Sequence, residues 1–139
     1  MKGDQTSKIN DTTCFKEIEK SVSSVLCKRG VSYNFFQSNS EDEIVLWLKK
    51  QLDADFLLLN PGTLAKTSFG LRDAVLEIKV PFLEVHFSNI YSCEESVYSS
   101  SFSDISVGTL VGLGLKGFLL ASKFASDFIE QEKKILVKK

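Results

Sequence analysis

The chain contains a single histidine, His86, at the end of the apolar run FLEVHF (82–87) and just before the polar pair SN. An imidazole titrates near neutral pH, so a histidine at the end of a strand has the chemistry of a general acid. The structural alternative is a ring that satisfies one buried hydrogen bond, which is the commoner fate of a lone histidine. The residues alone leave both interpretations of His86 open.

Three other short motifs contain residues that could do chemistry, and each also has a plain structural explanation. Asn60 begins the motif NPG, which by itself indicates a turn because proline and glycine preset its backbone angles. Arg72 and Asp73 are by default a solvated pair on a helix. GLGLKG (112–117) has glycines, but their spacing does not match a G-x-G-x-x-G loop after a first strand, so nucleotide binding is disfavoured.

The elements that must position these residues alternate between strand and helix along the chain. Two apolar runs, 55–60 and 81–87, lack polar alternation, which is typical of parallel strands covered on both faces. Between them the spacing of apolar residues predicts a helix, so we expect a β-α-β unit in an α/β sandwich. Ligands bind such sheets at the carboxyl ends of the strands, where Asn60 and His86 lie. Further predicted strands are 31–36 and 106–114, and further predicted helices are 12–29, 41–50 and 116–134.

Composition excludes several classes of partner. The formal net charge is −1, so no basic field is available for nucleic acid or an anionic membrane, and the most apolar stretch is too short to span a bilayer. Three cysteines without a Cys-x-x-Cys pair indicate reduced thiols and no structural zinc. No secretory signal is visible, and we expect a cytoplasmic protein without a metal ion or cofactor.

The motifs FFQSN, LNPGTLAKTS, LRDA, PFLEVHFSN, SFSDISVG and GLGLKG, in this order, resemble the type II 3-dehydroquinate dehydratases. These are small flavodoxin-like lyases of the shikimate and quinate pathways, and the resemblance runs from about residue 10 to residue 125. It implies a three-layer α/β sandwich with a parallel sheet. It also implies one domain over residues 1–139, with 1–11 irregular and 133–139 a tail that frays.

The resemblance also implies an activity and a set of site residues. The family removes water from 3-dehydroquinate by an anti elimination through an enolate, giving 3-dehydroshikimate, without metal or cofactor. In this chain Asn60 corresponds to the asparagine that steadies the enolate and His86 to the acid that protonates the leaving hydroxyl. The backbone of Phe87 and the hydroxyl of Ser88 match the two groups that bind the substrate carboxylate in the family. Asp73 matches an acid that reaches the site of a neighbouring subunit. The family's homo-oligomer is a dodecamer assembled from trimers.

Departures from the family pattern predict impaired turnover. The catalytic arginine aligns with Gln5 and the tyrosine that acts as base aligns with Asn10, whose amide is no base. Three further positions, two arginines and a histidine in the family, are Cys93, Val97 and Lys66 here. One alternative is therefore a non-catalytic relative that acts as a binding or assembly subunit, and another is a binding module for a small anion at Ser88.

The beginning of the chain carries an expectation about the sheet. Met1 aligns near the end of the family's first strand, which is central in the flavodoxin-like order. We therefore expect that strand to be missing, leaving four strands. Residues 32–36 would then pair directly with 55–60 or leave a vacancy between them, and the lone monomer would be poorly stable.

Overall fold

The computed structural model describes residues 12–65, 68–92 and 100–138, and four helices and three strands lie within these ranges. Short 3₁₀ turns occupy Gly62–Ala65 and Ile90–Ser92. In chain order the elements are α1 (Thr12–Lys28), α2 (Glu41–Lys49), β1 (Leu57–Leu59), α3 (Phe69–Ile78), β2 (Phe82–His86), β3 (Gly108–Val111) and α4 (Leu115–Lys138).

Serine residues begin the two helices on one side of the sheet. The hydroxyl of Ser40 accepts a hydrogen bond from the Glu43 amide, and three acidic residues follow in the first turn of α2, where the helix dipole favours them. Ser68, which is 1% exposed, caps α3 in the same way by accepting from the Leu71 amide at 3.2 Å. Lys79, in the left-handed region at φ 57°, ends α3. Local sequence therefore sets both ends of the helix that joins β1 to β2.

The three strands form one parallel sheet in the order β1-β2-β3. Leu59 of β1 pairs with Glu84 of β2, and His86 of β2 pairs with Val111 of β3. Every residue of β2 is buried, as a central strand covered on both faces requires. The predicted β-α-β unit and parallel sheet are confirmed.

Each face of the sheet has its own core, because side chains alternate along β2. Phe82 packs into the core under α2 and α3, which includes Leu48, Leu71 and Phe102. The intervening residues of β2 point to the other face and pack with α1 and α4; that core contains Ile18, Val22, Leu26, Leu83, Val85, Phe118 and Ala121. The result is the predicted three-layer α/β sandwich, with Glu84 and His86 on the α3 face.

Helix α4 is the longest element, with 24 residues. Phe118, Ala121 and Ala125 of this helix are buried, whereas Phe124 is 42% exposed. Within the described ranges, no helix combines the length and apolarity needed to cross a membrane.

The prediction of a strand at 31–36 is wrong, and the described residues contain three strands rather than four. The aromatic side chains of this segment pack against helices, and its backbone does not pair with a strand. Phe35 meets Phe15 of α1 edge-on at 5.6 Å, and Phe36 stacks on Trp47 of α2 at 5.3 Å. The segment thus links the two helical layers. In the described part of the chain β1 is hydrogen-bonded on its β2 side alone. Residues 1–11 lie outside the described residues, so the expectation of a missing first strand stays a prediction.

Candidate active site

Residues that follow neighbouring parallel strands meet at one edge of the sheet. Asn60 comes directly after β1, His86 is the last residue of β2, and Ser88 follows two residues later. Because Leu59 lies beside Glu84 in the register, Asn60 and His86 differ in level by about one residue. The structure thus brings the three predicted residues to the same rim, where α/β sheets bind ligands.

His86 is held by a carboxylate on its own strand. Its Nε2 atom lies 2.6 Å from Oε2 of Glu84, two residues earlier and on the same face of β2. The two side chains are 4% and 0% exposed. The His86 ring is therefore buried, and the Glu84 carboxylate fixes its orientation.

Glu84 is satisfied by further donors from one turn that precedes β3. The Ser100 hydroxyl donates to Oε2 at 2.5 Å, and the Ser103 hydroxyl donates to Oε1 at 2.6 Å. Burial alone would raise the pKa of the Glu84 carboxyl, but the hydrogen bonds from His86, Ser100 and Ser103 outweigh burial and lower that pKa below the ordinary 4.5. An ionised carboxylate only accepts hydrogen bonds, so Nε2 of His86 carries a hydrogen.

This arrangement bears on the choice between a structural and a catalytic histidine. A structural ring needs one satisfied hydrogen bond, and a backbone carbonyl would supply it without burying a charge. Here a buried ionised carboxylate, itself held by two hydroxyls, fixes the ring's tautomer. A carboxyl whose pKa is shifted, paired with an imidazole at a strand end, is found at many functional sites. A histidine held in this way can act as a general acid.

The turn after β3 is fastened to the turn after β2. The amides of Gly112 and Gly114 donate to the carbonyls of His86 and Phe87 at 3.1 and 2.9 Å. Gly112 has φ 81°, and a Cβ atom there would lie 2.9 Å from Cβ of Asn89. These glycines therefore serve the close packing of two turns, which explains the motif GLGLKG without a phosphate loop.

Asn60 and Ser88 present polar groups at the rim. Oδ1 of Asn60 accepts the Gly62 amide at 3.2 Å and so shapes the NPG turn. Its Nδ2 atom and the Ser88 hydroxyl make no hydrogen bond within the part of the chain that the structure describes. Both groups are placed to bind a ligand that carries acceptor oxygens.

Asp73 does not join the rim residues in this chain. It is exposed on α3 and has no hydrogen bond to Asn60, His86 or Ser88 in the described ranges. This placement suits a group that acts elsewhere than in its own chain's site. The remaining predicted departures lie outside the described residues; they are Gln5, Asn10, Lys66, Cys93 and Val97.

Among the described residues, no group of three or more His, Cys, Asp or Glu side chains is arranged to hold a metal ion. A cavity of about 410 Å³ lies away from the rim, at the end of α1 against α4, and its lining is Arg29, Gly30, Val31, Ser126, Ile129 and Glu130.

Sequence reasoning missed Glu84, the residue that holds His86. The signal was present, because a glutamate in the middle of a run expected to be buried on both faces needs a partner. Two positions later the same face of the strand presents the histidine. Ser100 and Ser103 gave no comparable signal, since they lie in a serine-rich stretch far from β2 in sequence.

Known proteins resemble this chain over most of its length. The family model "Dehydroquinase class II" matches residues 1–126. A 3-dehydroquinate dehydratase of Mannheimia succiniciproducens is 35% identical over 133 residues, which cover 95% of this chain and 89% of that protein. The type II dehydroquinase of Propionibacterium acnes superposes with a TM-score of 0.73 at 28% identity, covering 79% of this chain and 77% of that one.

A second solved structure gives the same result for the fold. The type II dehydroquinase of Butyrivibrio crossotus superposes with a TM-score of 0.75 at 26% identity, over 79% of this chain and 78% of that one. The flavodoxin-like α/β architecture expected from the sequence is thereby confirmed. With a family model that spans most of the chain and relatives of this similarity, the chain belongs to the class II dehydroquinase family.

Proposed function

We propose that this chain is a hydro-lyase that acts on 3-dehydroquinate, as the names of its relatives indicate for them. The observation that carries the proposal is the buried Glu84–His86 pair at the sheet rim where Asn60 and Ser88 also lie. The substrate is a small anionic carboxylate. The Ser88 hydroxyl and the Phe87 backbone are proposed to bind its carboxylate group, and Asn60 to bind near the ketone.

The proposed reaction assigns His86 the role of general acid. A base removes a proton from the carbon next to the ketone, and the electron pair forms an enolate. The carbon–oxygen bond to the leaving hydroxyl then breaks as His86 donates a proton, which releases water and 3-dehydroshikimate. The Glu84 carboxylate holds the ring in place during the transfer.

This chain lacks the family's base at the aligned position. Asn10 and Gln5 stand where the family has its tyrosine and arginine. Removing one group that stabilises a transition state typically costs a hundredfold to a thousandfold in rate, about 2.7–4 kcal/mol, and losses within one unit do not simply add. We therefore expect low turnover. Tyr91, 61% exposed in the turn after the rim, and Tyr98 are the candidate replacements.

The test is a spectrophotometric assay with 3-dehydroquinate that follows the conjugated enone product. Slow turnover that is lost in His86→Ala and retained in Ser38→Ala, a half-buried serine before α2, supports the proposal. Turnover that survives replacement of both Tyr91 and Tyr98 by Phe, but not His86→Ala, would place the base elsewhere. Calorimetry with the same compound separates binding from catalysis. A chain that neither binds nor turns over 3-dehydroquinate contradicts the proposal.

The second candidate function is a binding or assembly subunit without turnover. Asn10 favours it, and so does the exposed side of α3, where Asp73 lies between Phe69 and Leu76. We propose that this side meets another copy of the chain, in a homo-oligomer of trimers assembled to a dodecamer. The proposed compartment is the cytoplasm, which suits the exposed free thiol of Cys27.

A further inference from the structure

Arg72 of α3 makes the most directional ion pair in the described part of the chain. Its Nη1 and Nη2 atoms bind Oδ1 and Oδ2 of Asp104 at 2.6 and 2.9 Å, a forked geometry that lysine does not reproduce. Nη1 also donates to the backbone carbonyl of Ser101. The hydrogen bond from Arg72 holds the pKa of Asp104 below its ordinary value. One guanidinium thus binds both a side chain and the backbone of a single turn.

The turn bound by Arg72 is the one that supplies both hydroxyls to Glu84. Ser100 lies just before Ser101, and Ser103 lies just before Asp104. Arg72 therefore contacts Ser101 and Asp104. Each of these residues is next to a serine whose hydroxyl donates to the Glu84 carboxylate. A simple surface ion pair would contribute little, but this one fixes the backbone next to two part-buried hydrogen bonds to a buried carboxylate.

Other contacts hold the first half of the turn more firmly than the second. The Ser101 amide donates to the Ala65 carbonyl at 2.6 Å, and Phe102 is fully buried in the core under α3. The second half, by contrast, is exposed at Ser103 and Asp104. The side chain of Arg72 links this second half of the turn to α3 through Asp104. The position of the Ser103 hydroxyl therefore depends on Arg72 more than that of the Ser100 hydroxyl does.

We propose that Arg72 is a positioning residue that keeps the Ser100–Asp104 turn in place, so that Ser100 and Ser103 hold Glu84 and Glu84 holds the His86 ring. The inference rests on the proposed function for its catalytic consequence. Its structural content, an ordered Nε2–H bond between His86 and Glu84 that requires Arg72, does not depend on turnover.

The single histidine makes a direct test feasible, because in protein labelled with ¹⁵N-histidine every ring signal belongs to His86. The wild type should show one Nε2–H signal that exchanges slowly with water, since the ring is 4% exposed. Arg72→Gln and Asp104→Asn should each speed this exchange by roughly tenfold or more, because the local structure opens more often. The double variant should show Nε2–H exchange no faster than that of either single variant.

Arg29→Gln is the matched control. Arg29 binds Asp127 at 2.8 Å and also a serine and a backbone carbonyl, but it ties α1 to α4 far from the turn. This variant should leave the His86 signal unchanged. An unchanged Nε2–H exchange in folded Arg72→Gln and Asp104→Asn overturns the inference, as does an equal effect of Arg29→Gln. If Arg72→Gln fails to fold, Asp104→Asn decides.

Kinetics provide a second readout wherever the wild type turns over 3-dehydroquinate. A misplaced acid should lower kcat by about a hundredfold while KM changes little, because substrate binding at Ser88 is untouched. A rise in KM at constant kcat contradicts a positioning role. A wild type that neither binds nor turns over 3-dehydroquinate would refute the proposed function and leave the NMR experiment to decide the inference.

Discussion

Nε2 of His86 lies 2.6 Å from Oε2 of Glu84, although both residues come from one five-residue strand. Residues two apart on a strand share a face, so the strand itself provides the pairing without any long-range contact. Burying a charged carboxylate costs several kcal/mol unless its partners compensate. Here the compensation comes from the ring and two hydroxyls, which makes Glu84 the centre of the site's electrostatics.

Replacing Glu84 by Gln keeps the size of the side chain and removes its charge. A glutamine has one acceptor oxygen for the three donors that now bind Glu84, so at least one of these donors loses its acceptor. Hydrogen bonds to charged groups contribute about 1.5–3 kcal/mol, and we expect the free energy of unfolding to fall by that amount. Urea denaturation measures it, with the exposed Glu77→Gln on α3 as control. Equal stability of the two variants would mean that Glu84 is not ionised.

The lowered pKa of Glu84 also predicts how stability depends on pH. Folding lowers this pKa below 4.5, so the contribution of the ionised carboxylate is complete above that pH and is lost as the pH falls through the folded-state pKa. The free energy of unfolding should therefore decline as the pH falls below the ordinary pKa of 4.5, and Glu84→Gln should flatten this decline. Denaturation series at several pH values test it. A wild-type slope in Glu84→Gln speaks against the assignment.

Gly112 and Gly30 form a pair of variants that separates backbone strain from steric conflict. Both have positive φ, 81° and 70°, so alanine at either position costs about 1–2 kcal/mol. At Gly112 the added Cβ also meets Asn89 at 2.9 Å, whereas nothing lies within 4 Å at Gly30. We expect Gly112→Ala to lose about 1–3 kcal/mol more than Gly30→Ala. Similar urea midpoints would show that the two turns separate easily.

The sequence was sufficient for the sheet and its rim because both depend on local patterns. Fully apolar runs separated by a helical period predict a β-α-β unit, and parallel strands then place Asn60 and His86 at one end. The segment 31–36 shows the limit. Its β-branched and aromatic residues suit a strand, but a strand also needs a partner, and the packing of Phe36 on Trp47 is a tertiary fact.

Glu84 and the serines differ in how far they were predictable. A charged residue inside a covered strand is visible in the sequence, so Glu84 could have been identified before the structure was known. Ser100 and Ser103 reach it from 16 and 19 residues away, across a turn whose course is set by Arg72 and Phe102. Such contacts follow from the assembled fold and not from any local period.

The exposed side of α3 predicts self-association. Phe69 is 69% exposed and Leu76 is 47% exposed, and their seven-residue spacing puts them on one side of the helix with Asp73 between them. A second copy that covers these side chains would remove apolar surface from water and bring Asp73 toward another chain.

Size-exclusion chromatography with light scattering should show an oligomer for the wild type and smaller species for Phe69→Asp. Leu120→Asp is the control, because Leu120 is 48% exposed on α4, in the opposite layer. An oligomer that persists in Phe69→Asp, or one that Leu120→Asp disrupts equally, would place the interface elsewhere.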